Sequence, residues 1–316
     1  MITVAFSTHR LEVLQEAESL MQGHDVIILE EPPQTEFESM LRGEISIDTY
    51  LAQADFEFPS FAQACCRLYR RLYAAGKRLL QVEPYMEHLF RLHDFFAAGG
   101  DFHELKPDDP AFIVYRVERD ATAALLNFYT ISLTKPFPEV VQAVLAFARA
   151  DAARLALRDR MRAGSVMHWV EKAKALYVEC GYIHWLFFVE LQRLVKSKVR
   201  VRPCFLLQDQ ARHRIQRKQI LGPGDRLTLL FVFHPEMTGP DLDRLAAQSL
   251  IYIKLLHKDE MVPAVDAYPH LENEAEAWRW TRHLSWNDCQ ELWPLVRRSS
   301  SEEAQEVLTR FSTKER

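Results

Sequence analysis

The chain has 316 residues, of which 48% are hydrophobic and 26% are charged, so it is long and apolar enough to bury a large core. Its formal net charge of −5 gives no overall attraction to nucleic acid or to an anionic membrane. No run approaches the roughly 18 consecutive apolar residues that a membrane-spanning helix needs. The oligomeric state is left open by these properties.

The cysteine pattern and the N-terminal sequence predict a reducing, cytoplasmic environment. Five cysteines are present, an odd number, with no Cys-x-x-Cys spacing for zinc or redox chemistry. The first residues do not show the basic start and apolar core of a signal peptide. We expect reduced, structural thiols at Cys65, Cys66, Cys180, Cys204 and Cys289.

The chain opens with a β-α-β pattern. Residues 2–6 and 26–29 are short apolar runs, and residues 11–22 between them have helical apolar spacing. Such a unit predicts parallel strands, and continuous apolar runs are typical of parallel strands that are covered on both faces. Further strands are predicted at 79–82, 176–178, 205–207 and 227–233.

Long helical segments separate the predicted strands. The apolar spacing predicts helices at 45–53, 59–75, 85–98, 120–162 (interrupted at residues 135–138 by two prolines) and, mostly, 241–311. The fold class is therefore α/β: a mostly parallel central sheet with helices on both faces, a helical insertion that caps the strand ends, and a helix-rich C-terminal region. We expect a core over residues 1–235 with insertions at about 34–76 and 85–162, and a helical region over 236–316 packed on that core.

Polar residues follow most of the predicted strands. His9 follows the first strand, Glu30 and Glu31 the second, Glu83 the third, and His184 the fourth. His234 follows the run at 227–233. Ligands of open α/β sheets bind beyond the carboxyl ends of the strands, so we expect these side chains to form one site. Strand alternation places Glu30 and Glu31 on opposite faces, so only one of them joins it.

Imidazole and carboxylate groups suit two kinds of chemistry. They bind divalent metal ions such as zinc, manganese or iron, and they act as general acids and bases. The first possibility predicts a metal site at His9, Glu31 and His184. The alternative is that these residues have no shared function, because polar residues collect wherever a strand gives way to a solvated loop.

The N-terminal 190 residues resemble the superfamily of ChaN-like haem-binding proteins, erythromycin esterases and TraB/TIKI proteins. The resemblance rests on the residue 34–45 segment, on Arg158-Asp159-Arg160-Met161, and on Gly181-x-x-His184 after a strand. It implies that His9 and His184 take the two histidine positions, Glu30 or Glu31 the acidic position, and Arg158 the basic one. The sequence before His9 departs from the family because it lacks the usual glycine.

Several other functions lack their motifs. The chain contains no Gly-x-Ser-x-Gly elbow, no phosphate-binding glycine loop and no His-Glu-x-x-His helix. The segment 193–218 is strongly basic but has almost no interleaved aromatic residues, which argues against single-stranded nucleic acid as its partner.

Three hypotheses follow from the strand-end residues and the C-terminal helices. The first is a hydrolase, metal-dependent or acid/base, with Arg158 stabilising developing negative charge. Its ion would be bound, or its water activated, by the histidines His9 and His184 together with Glu30, Glu31 or Glu83. The second is a protein that binds haem, a metal ion, or a small-molecule or peptide ligand without turnover. The third is a protein-interaction module that uses the tryptophans of the C-terminal region.

Overall fold

A computed structural model describes residues 1–52, 56–196 and 199–314, with side chains up to Ser312. Gln53, at the end of one predicted helix, and Lys198, in the basic segment, lie outside the described residues. The described residues form two compact units. The first comprises residues 1–115, 156–210 and 260–268, and the second comprises 116–155, 211–259 and 269–316.

The first unit contains a sheet of five parallel strands, in the spatial order β3-β2-β4-β1-β5. The strands are β1 (Ile2–Ser7), β2 (Val26–Leu29), β3 (Arg78–Gln81), β4 (Leu176–Gly181) and β5 (Val201–Phe205). The α/β prediction is confirmed, and the sheet is parallel throughout. Two central strands, β1 and β4, are buried along their whole length, which explains their continuous apolar runs.

Helices connect the strands. The earlier helices all begin in the first unit. They are α1 (Leu14–Gln22), α2 (Phe37–Arg42), α3 (Ile47–Leu51), α4 (Pro59–Ala74), α5 (Pro84–Ala97) and α6 (Pro110–Ser132). They are followed by α7 (Phe137–Val170), α8 (Trp185–Val195) and α9 (Gln208–Ile215). The predicted break at Pro136 is confirmed, because α6 and α7 end and begin on either side of it.

The two faces of the sheet are distinguished by alternating residues. Val4 of β1, Ile28 of β2 and Val178 of β4 belong to one apolar cluster, together with Val166 of α7 and Phe187 of α8. The next residue along each strand points to the opposite face. The alternation therefore sets which side of the sheet each strand-end residue reaches.

The second unit is helical. Its later helices are α10 (Pro223–Phe233), α11 (Pro240–Leu255), α12 (Pro269–Thr281), α13 (Trp286–Val296) and α14 (Ser301–Lys314). Across the described residues, no helix is long and apolar enough to cross a membrane.

Residues 227–233 were predicted as a strand and are instead part of helix α10. An apolar run of seven residues fits a buried strand or a buried helix equally well. The residues before the run favour the helix. Pro223 occupies the first turn of α10, and the carboxylate of Asp225 accepts the backbone N–H of Gly222 at 2.8 Å. The predicted strand at 205–207 is also displaced, since β5 ends at Phe205.

Candidate functional site

His9 is placed by the turn that ends β1. Its backbone φ is 53°, in the left-handed region that few non-glycine residues adopt. The hydroxyl of Ser7 accepts the His9 backbone N–H at 3.0 Å, which holds this turn. The His9 side chain is 39% exposed, and its Nε2 lies 3.9 Å from Oε1 of Glu179 on β4. A solvent-accessible imidazole therefore stands beside a nearly buried carboxylate.

Glu30 follows β2, and its carboxyl group is buried. Its Oε1 accepts hydrogen bonds from His184 Nε2 at 3.0 Å and from Arg158 Nη2 at 3.2 Å, and its Oε2 accepts the Gly181 N–H at 2.5 Å. Burial acts to raise the pKa of Glu30, but the charges of His184, Arg162 and Arg158 hold this pKa well below its ordinary value. Glu30 is therefore a carboxylate at neutral pH.

His184 is held between two carboxylates. Its Nδ1 donates to Oδ1 of Asp159 at 2.5 Å, while Oδ2 of Asp159 accepts the Phe187 N–H at 3.0 Å. Burial alone would lower the pKa of His184, but Glu30 and Asp159 raise it to about 9. The ring is thus an imidazolium at neutral pH, and both nitrogens donate. In this arrangement both nitrogens are therefore engaged by carboxylates.

Two arginines one turn apart on α7 complete this buried network, which we define as Glu30, Glu83, Arg158, Asp159, Arg162 and His184. Glu83 Oε2 accepts from Arg158 Nε at 3.1 Å and lies 3.8 Å from Arg162 Nε. Burial raises the pKa of Glu83, and the two guanidinium groups oppose that shift. Arg162 also donates to the backbone carbonyls of Val82 and Glu179, at 3.0 and 2.7 Å. Three acidic and three basic groups therefore lie together, and all but the 27% exposed Arg158 side chain are nearly buried. Among the described residues, Glu83 Oε1 and Arg162 Nη1 are buried without a hydrogen-bond partner.

Glu31 belongs to a different environment. Its Oε2 accepts from Gln81 Nε2 at 2.8 Å, and the same nitrogen donates to the Tyr50 hydroxyl at 3.2 Å. Burial raises the pKa of Glu31 to about 7, since the Gln81 hydrogen bond offsets only part of the desolvation. A carboxyl group with this pKa carries a proton in a large share of molecules at neutral pH, which is what a general acid requires.

A cavity of about 280 Å³ adjoins Glu31 and His9. Both side chains line it, and the rest of its wall comes mainly from α2 to α4 and the chain around them. His9 packs against Phe61 of α4, with ring centroids 6.2 Å apart. The imidazole of His9 and the carboxyl group of Glu31 therefore line one partly open cavity.

Gly181 lies between the cavity side and the buried network. A Cβ atom at this position would lie 3.0 Å from His184 Cδ2, 3.4 Å from His9 Cε1 and 3.6 Å from Glu30 Oε2. The two histidine rings consequently approach the same backbone segment. A side chain at this position would press on the ring of His184 and contact the ring of His9.

The structure separates the predicted site residues into two groups. His9 and Glu31 line the cavity, whereas Glu30, Glu83, Arg158 and His184 form the network described above. Over residues 1–52, 56–196 and 199–314, no group of three or more His, Cys, Asp or Glu side chains is arranged to hold a metal ion.

His234 was predicted to follow a strand and to join the ring of polar residues. It instead follows helix α10, in the second compact unit. The argument from strand ends therefore does not apply to it.

Comparison with known proteins gives one clear relative. An Archaeoglobus fulgidus protein, described as an uncharacterized protein, is 30% identical over 291 residues, which make up 92% of this chain and 96% of that protein. The chain belongs to the family of this archaeal protein. No family model and no solved structure matches the chain.

In this member of the family, four site residues were not among the predicted ones. Two are charged residues inside elements, Arg162 on α7 and Glu179 on β4. Asp159 belongs to the Arg158-Asp159-Arg160-Met161 motif but had no predicted role. Gln81 lies within β3. The signals were present for two of them: Arg162 is one turn from Arg158 on the same helical face, and Glu179 is a charge within an apolar strand.

Proposed function

We propose that this protein is a hydrolase of the superfamily that includes the erythromycin esterases and the ChaN-like and TraB/TIKI proteins, with an acid/base site at His9 and Glu31. One observation carries the proposal: an accessible imidazole and a carboxyl group whose pKa is about 7 share one cavity. Such a pair suits cleavage of an ester or amide bond by water.

The proposed reaction uses each side chain once. His9 Nε2 takes a proton from water while the water oxygen attacks the carbonyl carbon, and Glu179 stabilises the imidazolium that forms. When the bond to the leaving group breaks, the leaving oxygen or nitrogen takes the proton of Glu31. His9 then releases its proton to solvent and Glu31 regains one, so one water is consumed and both side chains are restored.

The buried network has a supporting role in this proposal. Its three acidic and three basic groups balance in charge, although Glu83 Oε1 and Arg162 Nη1 are buried without a hydrogen-bond partner in the part of the chain that the structure describes. Its hydrogen bonds join α7 to the ends of β2 and β4. Arg158 was predicted to stabilise negative charge on the substrate, but its guanidinium is already held by Glu30 and Glu83. The network therefore holds the end of β4, the strand that pairs with β1.

A reducing, cytoplasmic location is part of the proposal. All five cysteines are free, and four of them are buried. Free thiols of this kind are typical of proteins in reducing compartments.

The proposal is tested by turnover of the purified chain on panels of esters, peptides and phosphoesters. We expect hydrolysis of an ester or peptide, reduced about 100-fold or more by His9→Asn. Asparagine tolerates the left-handed backbone at position 9, so the fold is retained. The exposed His103 provides the control, His103→Asn. No turnover on any panel would favour the alternative of a binding protein without catalysis. Equal turnover by His9→Asn would contradict the assignment of His9 as the base.

A further inference from the structure

The cavity beside His9 has a mainly aromatic wall. The aromatic side chains that line it include Phe37, Tyr50, Phe56, Phe58, Phe61 and Tyr69. Cys65 and Cys66 of α4 line it too, and burial raises the pKa of both thiols, so they are uncharged at neutral pH. Besides His9 and Glu31, the polar lining consists of Gln34 and Glu57. The predominance of rings and neutral thiols in the rest of the wall favours an apolar group over a charged one.

Contacts within the first unit hold this wall in place. The guanidinium of Arg10 stacks on the ring of Phe58, 3.5 Å from its centroid. The carboxylate of Glu260 accepts the backbone N–H of Phe61 at 2.7 Å and fixes the first turn of α4. Phe37 packs against Tyr50, with ring centroids 6.2 Å apart. The cavity is therefore formed before a ligand arrives, which limits the entropy lost on binding.

The polar groups fix the direction in which a ligand lies. His9 and Glu31 are the acid/base pair, and Gln81 holds the Glu31 carboxyl by a hydrogen bond. A carbonyl group placed at this pair leaves its apolar substituent against the rings of α4. The volume of about 280 Å³ equals roughly nine water-sized groups at about 30 Å³ each.

We propose that the substrate is an ester or amide of a compact apolar acid, whose aryl or alkyl acyl group of up to roughly nine non-hydrogen atoms fills this cavity. The reaction in this inference rests on the proposed hydrolase function. The binding of an apolar group in the cavity does not depend on it. Burial of each additional methylene favours the transition-state complex about threefold to fourfold. Selectivity should therefore rise with acyl length until the cavity is full.

The test uses 4-nitrophenyl esters of acetate, butyrate, hexanoate and 3-phenylpropionate. For the wild type we expect kcat/KM to rise at least 10-fold from acetate to 3-phenylpropionate. Ala62→Phe places a ring inside the cavity and should lower kcat/KM for the longer esters at least 10-fold, which removes the rise from acetate to 3-phenylpropionate. Arg67→Phe adds the same ring at an exposed position of α4 and is the control.

A binding experiment tests this inference independently of the hydrolase proposal. The probe is 4-phenylbutan-2-one, a ketone that cannot be hydrolysed, titrated calorimetrically into the same variants. Binding by the wild type and by Arg67→Phe, with at least 10-fold weaker binding by Ala62→Phe, supports the inference even if no ester is cleaved.

Two results would overturn the inference. One is no ketone binding by the wild type. The other is ester turnover that is independent of acyl length and unchanged by Ala62→Phe, which would leave the hydrolase function intact. If Ala62→Phe does not fold, as judged by circular dichroism, Ala62→Leu replaces it with the same expected direction.

Discussion

Glu30 and Glu31 are adjacent in the chain, yet their carboxyl groups have opposite pKa shifts. The pKa of Glu30 is held well below its ordinary value by cationic neighbours, despite burial, whereas burial raises the pKa of Glu31 to about 7. The cause is the strand alternation at the end of β2, which sends one side chain to the buried network and the other to the cavity. Environments that separate two such pKa values are typical of acid/base sites.

The imidazolium of His184 should stabilise the fold in a pH-dependent way. Its pKa is raised to about 9 from 6.5, so its contribution is fully present below pH 6.5 and is lost as the pH rises through 9. His184→Gln leaves Glu30 and Asp159 without their shared cation. We expect it to reduce the free energy of unfolding by about 3–5 kcal/mol at pH 6.

The measurement for His184 is urea unfolding of both proteins at pH 6 and pH 9.5. The difference between wild type and variant should shrink by roughly 3 kcal/mol at the higher pH. The exposed His168 of α7 supplies the control, His168→Gln, which should change little at either pH. A difference that stayed constant with pH would contradict a charged His184.

A side chain at position 181 should disturb both histidines. Gly181→Ala places a methyl group 3.0 Å from His184 and 3.4 Å from His9, and the carboxylates around His184 prevent its ring from moving away freely. We expect a loss of about 1–3 kcal/mol in stability and at least a 10-fold loss in kcat/KM.

Gly164 on α7 offers a matched control for this change. Nothing lies within 4 Å of a Cβ atom at position 164, so Gly164→Ala should raise stability by up to about 1 kcal/mol. Thermal unfolding and ester turnover of the two variants provide the comparison. Wild-type activity and stability in Gly181→Ala would show that the two rings do not meet at this glycine.

Gln81 should control the pKa of Glu31, the proposed general acid. Its side-chain N–H lowers the pKa of Glu31, so Gln81→Leu should raise that pKa above 7. If protonated Glu31 is the acid, the alkaline fall of kcat/KM should move to higher pH in this variant. A purely structural role for Gln81 would lower activity at every pH without moving the profile. Gln22→Leu, at an exposed position, is the control.

Chelation should leave the activity unchanged. The proposed ligand set of His9, Glu31 and His184 cannot form around one ion while both nitrogens of His184 donate to carboxylates. Turnover of the best ester before and after dialysis against EDTA is the measurement, with zinc or manganese added back as the control. A loss that added metal restores would contradict the metal-independent account.

Some features of the fold and site were predictable from local sequence, and others were not. Apolar runs of limited length identified four strands, and alternation separated Glu30 from Glu31. The run at 227–233 could not be assigned by the same rule, because helix and strand both bury seven apolar residues. The spacing of Arg162 from Arg158 was a usable signal, but its pairing with Glu30 was not, because Glu30 lies far away in the chain. The pairing of Asp159 with His184 could not be predicted for the same reason.

The pH dependence of hydrolysis by Glu31→Gln tests the central claim most directly. In the wild type, kcat/KM should fall as the pH rises through about 7, because Glu31 loses the proton that the leaving group needs. In Glu31→Gln this fall should disappear, with kcat/KM at pH 6 about 10²- to 10⁴-fold lower. The exposed Glu38 gives the control, Glu38→Gln, which should keep the wild-type profile. A fall near pH 7 that persists in Glu31→Gln would contradict the assignment of Glu31 as the acid.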